Sequence, residues 1–178
     1  MPNYNTATNP SPIALQGMRD WLNNRQQAID DAKRDTVHTN VEVFCYAEVN
    51  RVRDAMVGGG GVNQRAINMV IPYVTNLDYL SWSSYDGMDL GSSDLNATLN
   101  YMQSKLPTRK ASLIAGRRIW VGEYGWGANT PDQQEPLNRA YISRLLPWGP
   151  RFILFWEIYN NETNRNFCLI DSNNVKVA

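Results

Sequence analysis

The chain has 178 residues, 43% of them hydrophobic, which is enough apolar side chain for one domain with a buried core. Seventeen lysine and arginine residues balance seventeen aspartate and glutamate residues, and no long run of like charge occurs. This balance argues against nucleic acid or an anionic membrane surface as a partner.

The predicted elements alternate between helix and strand along the chain. A polar arm at residues 1–10 is followed by apolar residues at three- and four-residue spacing, which predict a helix over 12–34 with Ser11 as its cap. Four β-branched and aromatic runs predict strands at 41–50, 77–87, 118–123 and 151–160. Between them, predicted helices lie at 63–74, 93–106 (with Ser92 or Ser93 as the cap) and 134–146.

This alternation predicts an α/β fold built from parallel βα units with right-handed crossovers. The predicted strands begin near residues 41, 77, 118 and 151, so they recur every 33 to 41 residues. A (β/α)8 barrel of about 250 residues averages roughly 31 residues per unit. The four units therefore predict half of a (β/α)8 barrel, with residues 1–178 forming a single domain.

The remaining composition gives few signs of cofactors or membrane insertion. Cys45 and Cys168 lie in apolar segments, which favours buried free thiols over a disulfide. His38 is the only histidine, so a zinc site has too few ligands, and no metal or other cofactor is expected. The N-terminus is polar where a signal peptide is apolar, and no apolar run approaches the ~20 residues of a membrane helix. We expect a soluble chain, either cytoplasmic or secreted with a leader removed.

Polar and aromatic residues collect at all four predicted strand ends, where parallel α/β proteins place their working residues. The residues are Glu48 and Asn50, then Tyr85 and Asp86, then Glu123 and Tyr124, then Trp156, Glu157 and Asn160. Glu48 and Glu123 form a candidate pair of carboxylates, bordered by Trp82, Trp126 and Trp156. Two facing carboxylates are typical of glycoside hydrolysis, and aromatic rings beside them would stack on sugar rings.

Other interpretations of these residues remain open. Glu123 could instead form an ion pair with Arg117 or Arg118, and Glu48 could form one with Arg51 or Arg53. Trp156, Trp82 and Tyr85 could each be an ordinary core residue instead of part of a sugar-binding surface.

The motif "WVGEYGW" at 120–126, followed by "FILFWEIYN" at 152–160, resembles strands seven and eight of the clan A retaining glycoside hydrolases. Those enzymes are (β/α)8 barrels. The resemblance implies that Glu123 is the nucleophile and that Trp156 forms the wall of the subsite where the sugar is cleaved. "LSWSSYDG" at 80–87 resembles strand six, which implies that Tyr85 hydrogen-bonds the nucleophile.

The sequence departs from this family at the acid/base residue. The family's acid/base glutamate follows an asparagine at the end of strand four, whereas Ala47 precedes Glu48 here, and the strand count places Glu48 on strand five. Glu48 is the acid/base candidate that the chain offers.

The resulting prediction is a glycoside hydrolase that cleaves β-glycosidic bonds of a polysaccharide or oligosaccharide, with Glu123 and Glu48 as catalytic residues in a retaining mechanism. The predicted substrate-binding residues are Trp156, Tyr85, Trp82, Asn50, Tyr124 and Trp126. The alternative is a carbohydrate-binding or vestigial module, derived from a truncated barrel, that does not cut sugar. Half a barrel also leaves sheet edges and an apolar face uncovered, which predicts a homodimer that completes the barrel.

Overall fold

The computed structural model describes residues 10–37, 40–58, 65–108, 116–127, 131–159 and 167–170. Residues 1–9 of the predicted arm, His38 and Asn160 lie outside the described residues. The helices are α1 (Pro12–Asp35), α2 (Val52–Val57), α3 (Ala66–Met69), α4 (Ser92–Lys105) and α5 (Pro131–Leu145). The strands are β1 (Tyr46–Asn50), β2 (Tyr79–Ser83), β3 (Ile119–Tyr124) and β4 (Ile153–Phe155), and short 3₁₀ turns span Ile71–Tyr73 and Leu146–Trp148.

The four strands form one parallel sheet in the order β1-β2-β3-β4. The prediction of an α/β fold with parallel strands separated by helices is confirmed. Each strand pairs with the strand that precedes it in the chain, and each new strand is added on the same side of the sheet. Because parallel crossovers are right-handed, this order places the connecting helices on one face of the sheet.

The core lies between that face and the helices. Alternate strand residues supply one side of it: Ala47, Val49, Leu80, Trp82, Ile119 and Val121. The helices supply the other side with Leu22, Ala55, Leu95, Leu99, Met102, Tyr141 and Leu145. The four- and three-residue spacing of the three α4 residues is the spacing from which that helix was predicted.

The opposite face carries a row of aromatic rings that crosses all four strands. Tyr79 contacts Phe44 and Trp120, and Trp120 also contacts Tyr46 and Phe152, with ring centroids 4.8 to 5.7 Å apart. Tyr46 and Phe152 are exposed. We call these five residues the aromatic sheet face.

A buried polar cluster joins α1 to the start of the sheet. The side chain of Asp78 accepts hydrogen bonds from the Cys45 main-chain N–H (2.8 Å) and from the Gln26 amide (3.0 Å). Gln26 in turn accepts from the Asp78 main-chain N–H (3.0 Å). Arg118 donates to the main-chain oxygens of Asp78 and Leu77 from the start of β3. These contacts satisfy polar groups that would be costly to bury alone.

Several local predictions need correction. β1 begins at Tyr46 rather than at residue 41, and β4 ends at Phe155 rather than at residue 160. The N-cap of α4 is Gly91, without a side-chain cap bond, and not Ser92 or Ser93. The helix α2 was not predicted, because six residues are too few to show a helical period. Cys45 and Cys168 are buried and free, as predicted.

In the described ranges, no helix combines the length and the apolar character needed to cross a bilayer.

Asp86 joins the loop after β2 to the helix after β1. Its carboxylate accepts hydrogen bonds from the main-chain N–H groups of Arg53 (2.8 Å) and Asp54 (3.3 Å) and from the indole N–H of Trp82 (3.1 Å). Burial raises the pKa of Asp86, and the three donors oppose that rise because they stabilise the charged form.

We expect Asp86→Ala to lower the free energy of unfolding by about 2–4 kcal/mol, because three N–H donors lose a charged acceptor. Urea denaturation followed by far-ultraviolet circular dichroism measures the change. Asp89→Ala is the matched control, since Asp89 is exposed in the same loop, and it should change stability by less than about 0.5 kcal/mol. Equal effects of the two substitutions would contradict an anchoring role for Asp86.

Candidate active site

The two candidate carboxylates meet at one serine hydroxyl. Glu48 lies near the end of β1, Ser83 ends β2 and Glu123 lies near the end of β3. The Ser83 hydroxyl oxygen lies within hydrogen-bond distance of Glu48 Oε1 and 2.8 Å from Glu123 Oε2. Since one atom contacts both, the two carboxylate oxygens are at most about 6 Å apart, the sum of two hydrogen-bond lengths.

Each glutamate also has a hydroxyl donor of its own. The Ser81 hydroxyl donates to Glu48 Oε2 (3.0 Å), and the Tyr85 hydroxyl donates to Glu123 Oε1 (2.9 Å). A serine hydroxyl carries one hydrogen, so Ser83 donates to only one of the two carboxylates at a time. At any moment, therefore, one of the two carboxyl groups accepts a hydrogen bond from Ser83 and the other does not.

An irregularity in β3 brings Glu123 to this face of the sheet. Trp82 pairs with Val121, and the next pair is Ser83 with Glu123, so Gly122 is an extra residue. In a regular ladder Ser83 would face Gly122, and Glu123 would project with Trp82 into the helical core. The bulge instead turns Glu123 to the opposite face of the sheet, and bulges commonly redirect side chains near functional sites.

Gly122 also makes room for Glu48. A Cβ atom at this position would collide with the Ser81 hydroxyl oxygen and would lie 2.9 Å from Glu48 Oε2. Gly125, in the turn after β3, has a similar restriction, because a Cβ atom there would collide with the main-chain oxygen of Trp156. Both glycines of the "VGEYG" motif are thus required, because neighbouring atoms leave no room for a Cβ atom at either position.

The ion-pair alternatives for the two glutamates do not hold. Arg51 pairs with Asp54, and Arg53 lies 3.3 Å from Asp94, so neither cation pairs with Glu48. Arg117 stacks on the ring of Trp148. Arg118 donates to main-chain oxygens at the opposite end of the strands.

The structure brings together Glu48, Glu123 and Tyr85 from the predicted set. Asn50 is exposed at the end of β1, and Trp156 is half-buried just after β4, where its main-chain N–H donates to Tyr124 (2.7 Å). Both residues lie at the same edge of the sheet as the two glutamates.

Three predicted substrate-binding residues pack into or against the core on the helical face. Trp82 is fully buried on the helical face, and Tyr124 is buried there against Tyr141 and Phe155. Trp126 packs against the core beside α5, where its main-chain N–H donates to Asn138 (3.3 Å). The prediction was wrong for Trp82 and Tyr124 because each directly neighbours a site residue in its strand and so projects to the other face.

Ser81 and Ser83 were not predicted as site residues. A signal was present, because residues 81 and 83 share a face of β2, and Ser81 pairs with Glu48 in the register. That register could not be derived from the sequence.

Comparison with protein-family models, with curated proteins and with solved structures found no significant match. Within the described ranges, no three histidine, cysteine, aspartate or glutamate side chains are grouped as metal ligands.

We expect Gly122→Ala to lower the free energy of unfolding by about 1–3 kcal/mol, because the added methyl group meets Ser81 and Glu48. Ser81→Ala removes the oxygen atom that suffers the closest approach. The double variant should therefore be more stable than the sum of the two single changes predicts, by more than about 0.5 kcal/mol. Urea denaturation of the four proteins measures this coupling, and simple additivity would argue against the contact.

Proposed function

We propose that this chain is a glycoside hydrolase that cleaves β-glycosidic bonds of a polysaccharide or oligosaccharide, with Glu123 and Glu48 as the catalytic pair. The observation that carries the proposal is the single Ser83 hydroxyl between the two carboxylates. Its limit of about 6 Å on their separation fits the retaining spacing of about 5–5.5 Å and not the inverting spacing of about 6.5–9.5 Å.

The fold supports the same proposal. We infer that the sheet is half of a (β/α)8 barrel, because four parallel strands follow one another in sequential order with helices on one face. Glu48 and Glu123 lie near the carboxyl ends of their strands, where barrel enzymes place catalytic residues. The resemblance of the β3 and β4 motifs to clan A glycoside hydrolases supports a β-linked sugar as the substrate.

In the first step, a Glu123 carboxylate oxygen forms a bond to the anomeric carbon of the sugar. The bond from that carbon to the leaving oxygen breaks, and Glu48, which enters the step protonated, gives its proton to the leaving oxygen. In the second step, water attacks the same carbon, Glu48 accepts a proton from this water, and the ester bond to Glu123 breaks. Glu48 is exposed, so a sugar oxygen can reach its carboxyl group.

Ser83 is suited to both steps as a positioning residue. When Glu123 is charged and Glu48 is protonated, the Ser83 hydroxyl donates to Glu123 and accepts from Glu48. After the first step the negative charge resides on Glu48, and rotation of one O–H bond lets Ser83 donate there instead. Tyr85 is exposed beside Glu123 and donates to its other oxygen, and Trp156 is proposed as a subsite wall.

We expect Glu123→Gln and Glu48→Gln each to lower kcat/KM on a β-linked polysaccharide by about 10²–10⁴-fold. Glu123→Gln should lose activity on aryl β-glycosides as well. Glu48→Gln should retain most of its first-step rate on aryl glycosides with acidic phenols, because such leaving groups depart without a proton. Release of reducing sugar and of phenol measures the two activities.

Asp35→Asn is the matched control, since Asp35 is an exposed carboxylate at the end of α1 that pairs with Arg34 (2.8 Å) away from the site. Its activity should equal that of the wild type. A wild-type protein that binds polysaccharide and releases no sugar would overturn the hydrolase proposal in favour of a carbohydrate-binding module.

We expect Ser83→Ala to lower kcat about 10–150-fold with little change in KM, because a hydrogen bond to a charged group contributes about 1.5–3 kcal/mol. Ser83→Thr keeps the hydroxyl and should recover most of the loss. Steady-state kinetics on an aryl β-glycoside provide the measurement. Equal kcat values for Ser83→Ala and wild type would remove Ser83 from the mechanism.

A further inference from the structure

Helix α1 carries an apolar surface that the described chain covers only in part, because the Arg25 guanidinium lies over the Trp21 ring, 4.3 Å from its centroid. Of its 24 residues only Leu22 and Gln26 are buried. Ile13, Met18 and Trp21 are 84%, 40% and 54% exposed and lie on one side of the helix at helical spacing. These three residues are called the exposed α1 face.

At the other end of the sheet an apolar groove lies beside β4. Its volume is about 500 Å³, and it runs between β4 and α5. The apolar lining residues are Tyr124, Ile142, Leu146, Phe155 and Leu169. Leu146 and the nearby Leu137 are exposed. We call this feature the β4 groove.

The exposed α1 face and the β4 groove are complementary in position. Each connecting helix packs on the same face of the sheet, against two neighbouring strands. The exposed α1 face lies on the helix that precedes the edge strand β1, while no described helix follows the opposite edge strand β4. In a (β/α)8 barrel the helix between two neighbouring strands packs beside both of them. The β4 groove, to which Leu169 contributes, corresponds to such a position beside β4, and α1 is a helix with a described strand on only one side.

We propose that two copies of this chain associate so that α1 of each copy packs into the β4 groove of the other. β4 of each copy then lies parallel to β1 of the other. Because the two contacts are related by one twofold axis along the barrel, the assembly closes with eight parallel strands and does not extend further.

The sheet itself favours this partner. Parallel sheets are normally covered on both faces, and free strand edges invite pairing. Closure buries the aromatic sheet faces of both copies inside one barrel. At the amino ends of the edge strands, the parallel alignment places the exposed Arg151 before β4 near the exposed Glu42 before β1, which also pairs with Lys33 of its own copy (3.5 Å).

Closure also changes the candidate active site. It places Trp156 and Glu157, just after β4 of one copy, beside Glu48 and Asn50 at the end of β1 of the other copy. Each of the two sites then has a wall supplied by the second chain.

Sedimentation velocity and light scattering test the assembly without any substrate, so the result is independent of the proposed activity. The wild type should be a dimer at micromolar concentration. Trp21→Glu should weaken dimerisation by at least about 30-fold, as expected for a buried tryptophan at an interface. Ala97→Glu is the matched control, because Ala97 is exposed on helix α4, away from both edge strands, and this variant should stay dimeric.

A second measurement does not depend on the folding of a charged variant. Met18→Cys and Leu146→Cys proteins, mixed and oxidised, should form a disulfide-linked dimer that neither protein forms alone. The described native cysteines are buried and do not compete. A monomeric wild type, a dimer insensitive to Trp21→Glu, or a crosslink in Met18→Cys alone would each overturn the proposal.

Discussion

The structure depends on one topological constraint, that every strand pairs in parallel with its predecessor and always on the same side. Right-handed crossovers then send all the connecting helices to one face, and the carboxyl ends of the strands meet at one edge. The helical face collects the aliphatic core. The other face receives the aromatic rings, the serines of β2 and the two glutamates, so the same constraint produces both the candidate site and the uncovered sheet face.

Within that frame the site depends on the absence of a side chain at Gly122. Two carboxylates within about 6 Å repel each other when both are charged, and hydroxyl donors offset part of that repulsion. Ser81 can reach Glu48 only because residue 122 has no Cβ atom. The same residue forms the bulge that turns Glu123 away from the core. Gly122, which has no side chain, thus fixes the positions of Glu48 and Glu123 relative to each other.

The sequence predicts the parts of this structure that are local. Helical spacing predicts α1 within one residue, since the helix spans Pro12–Asp35, and β-branched runs predict all four strands in order. The glutamates at the ends of β1 and β3 follow from the same patterns. Residue pairing between strands is not local. Neither the contact of the Ser83 hydroxyl with both glutamates nor the bulge at Gly122 could therefore be predicted. Trp82 and Tyr124 are buried on the helical face, because successive side chains of a strand project to opposite faces and position at a strand end does not determine the face.

The unequal surroundings of the two glutamates link assembly to chemistry. Glu123 lies on an inner strand, with β2 on one side and β4 on the other, whereas Glu48 lies on the edge strand β1 and is exposed. Electrostatic interactions are weaker in water than in a site from which water is excluded. In the proposed roles, Glu48 as proton donor at an open edge therefore gains more than Glu123 as nucleophile does from a neighbouring strand. The proposed second copy would supply that strand beside Glu48, so closing the proposed barrel would also exclude water from the proposed acid/base residue.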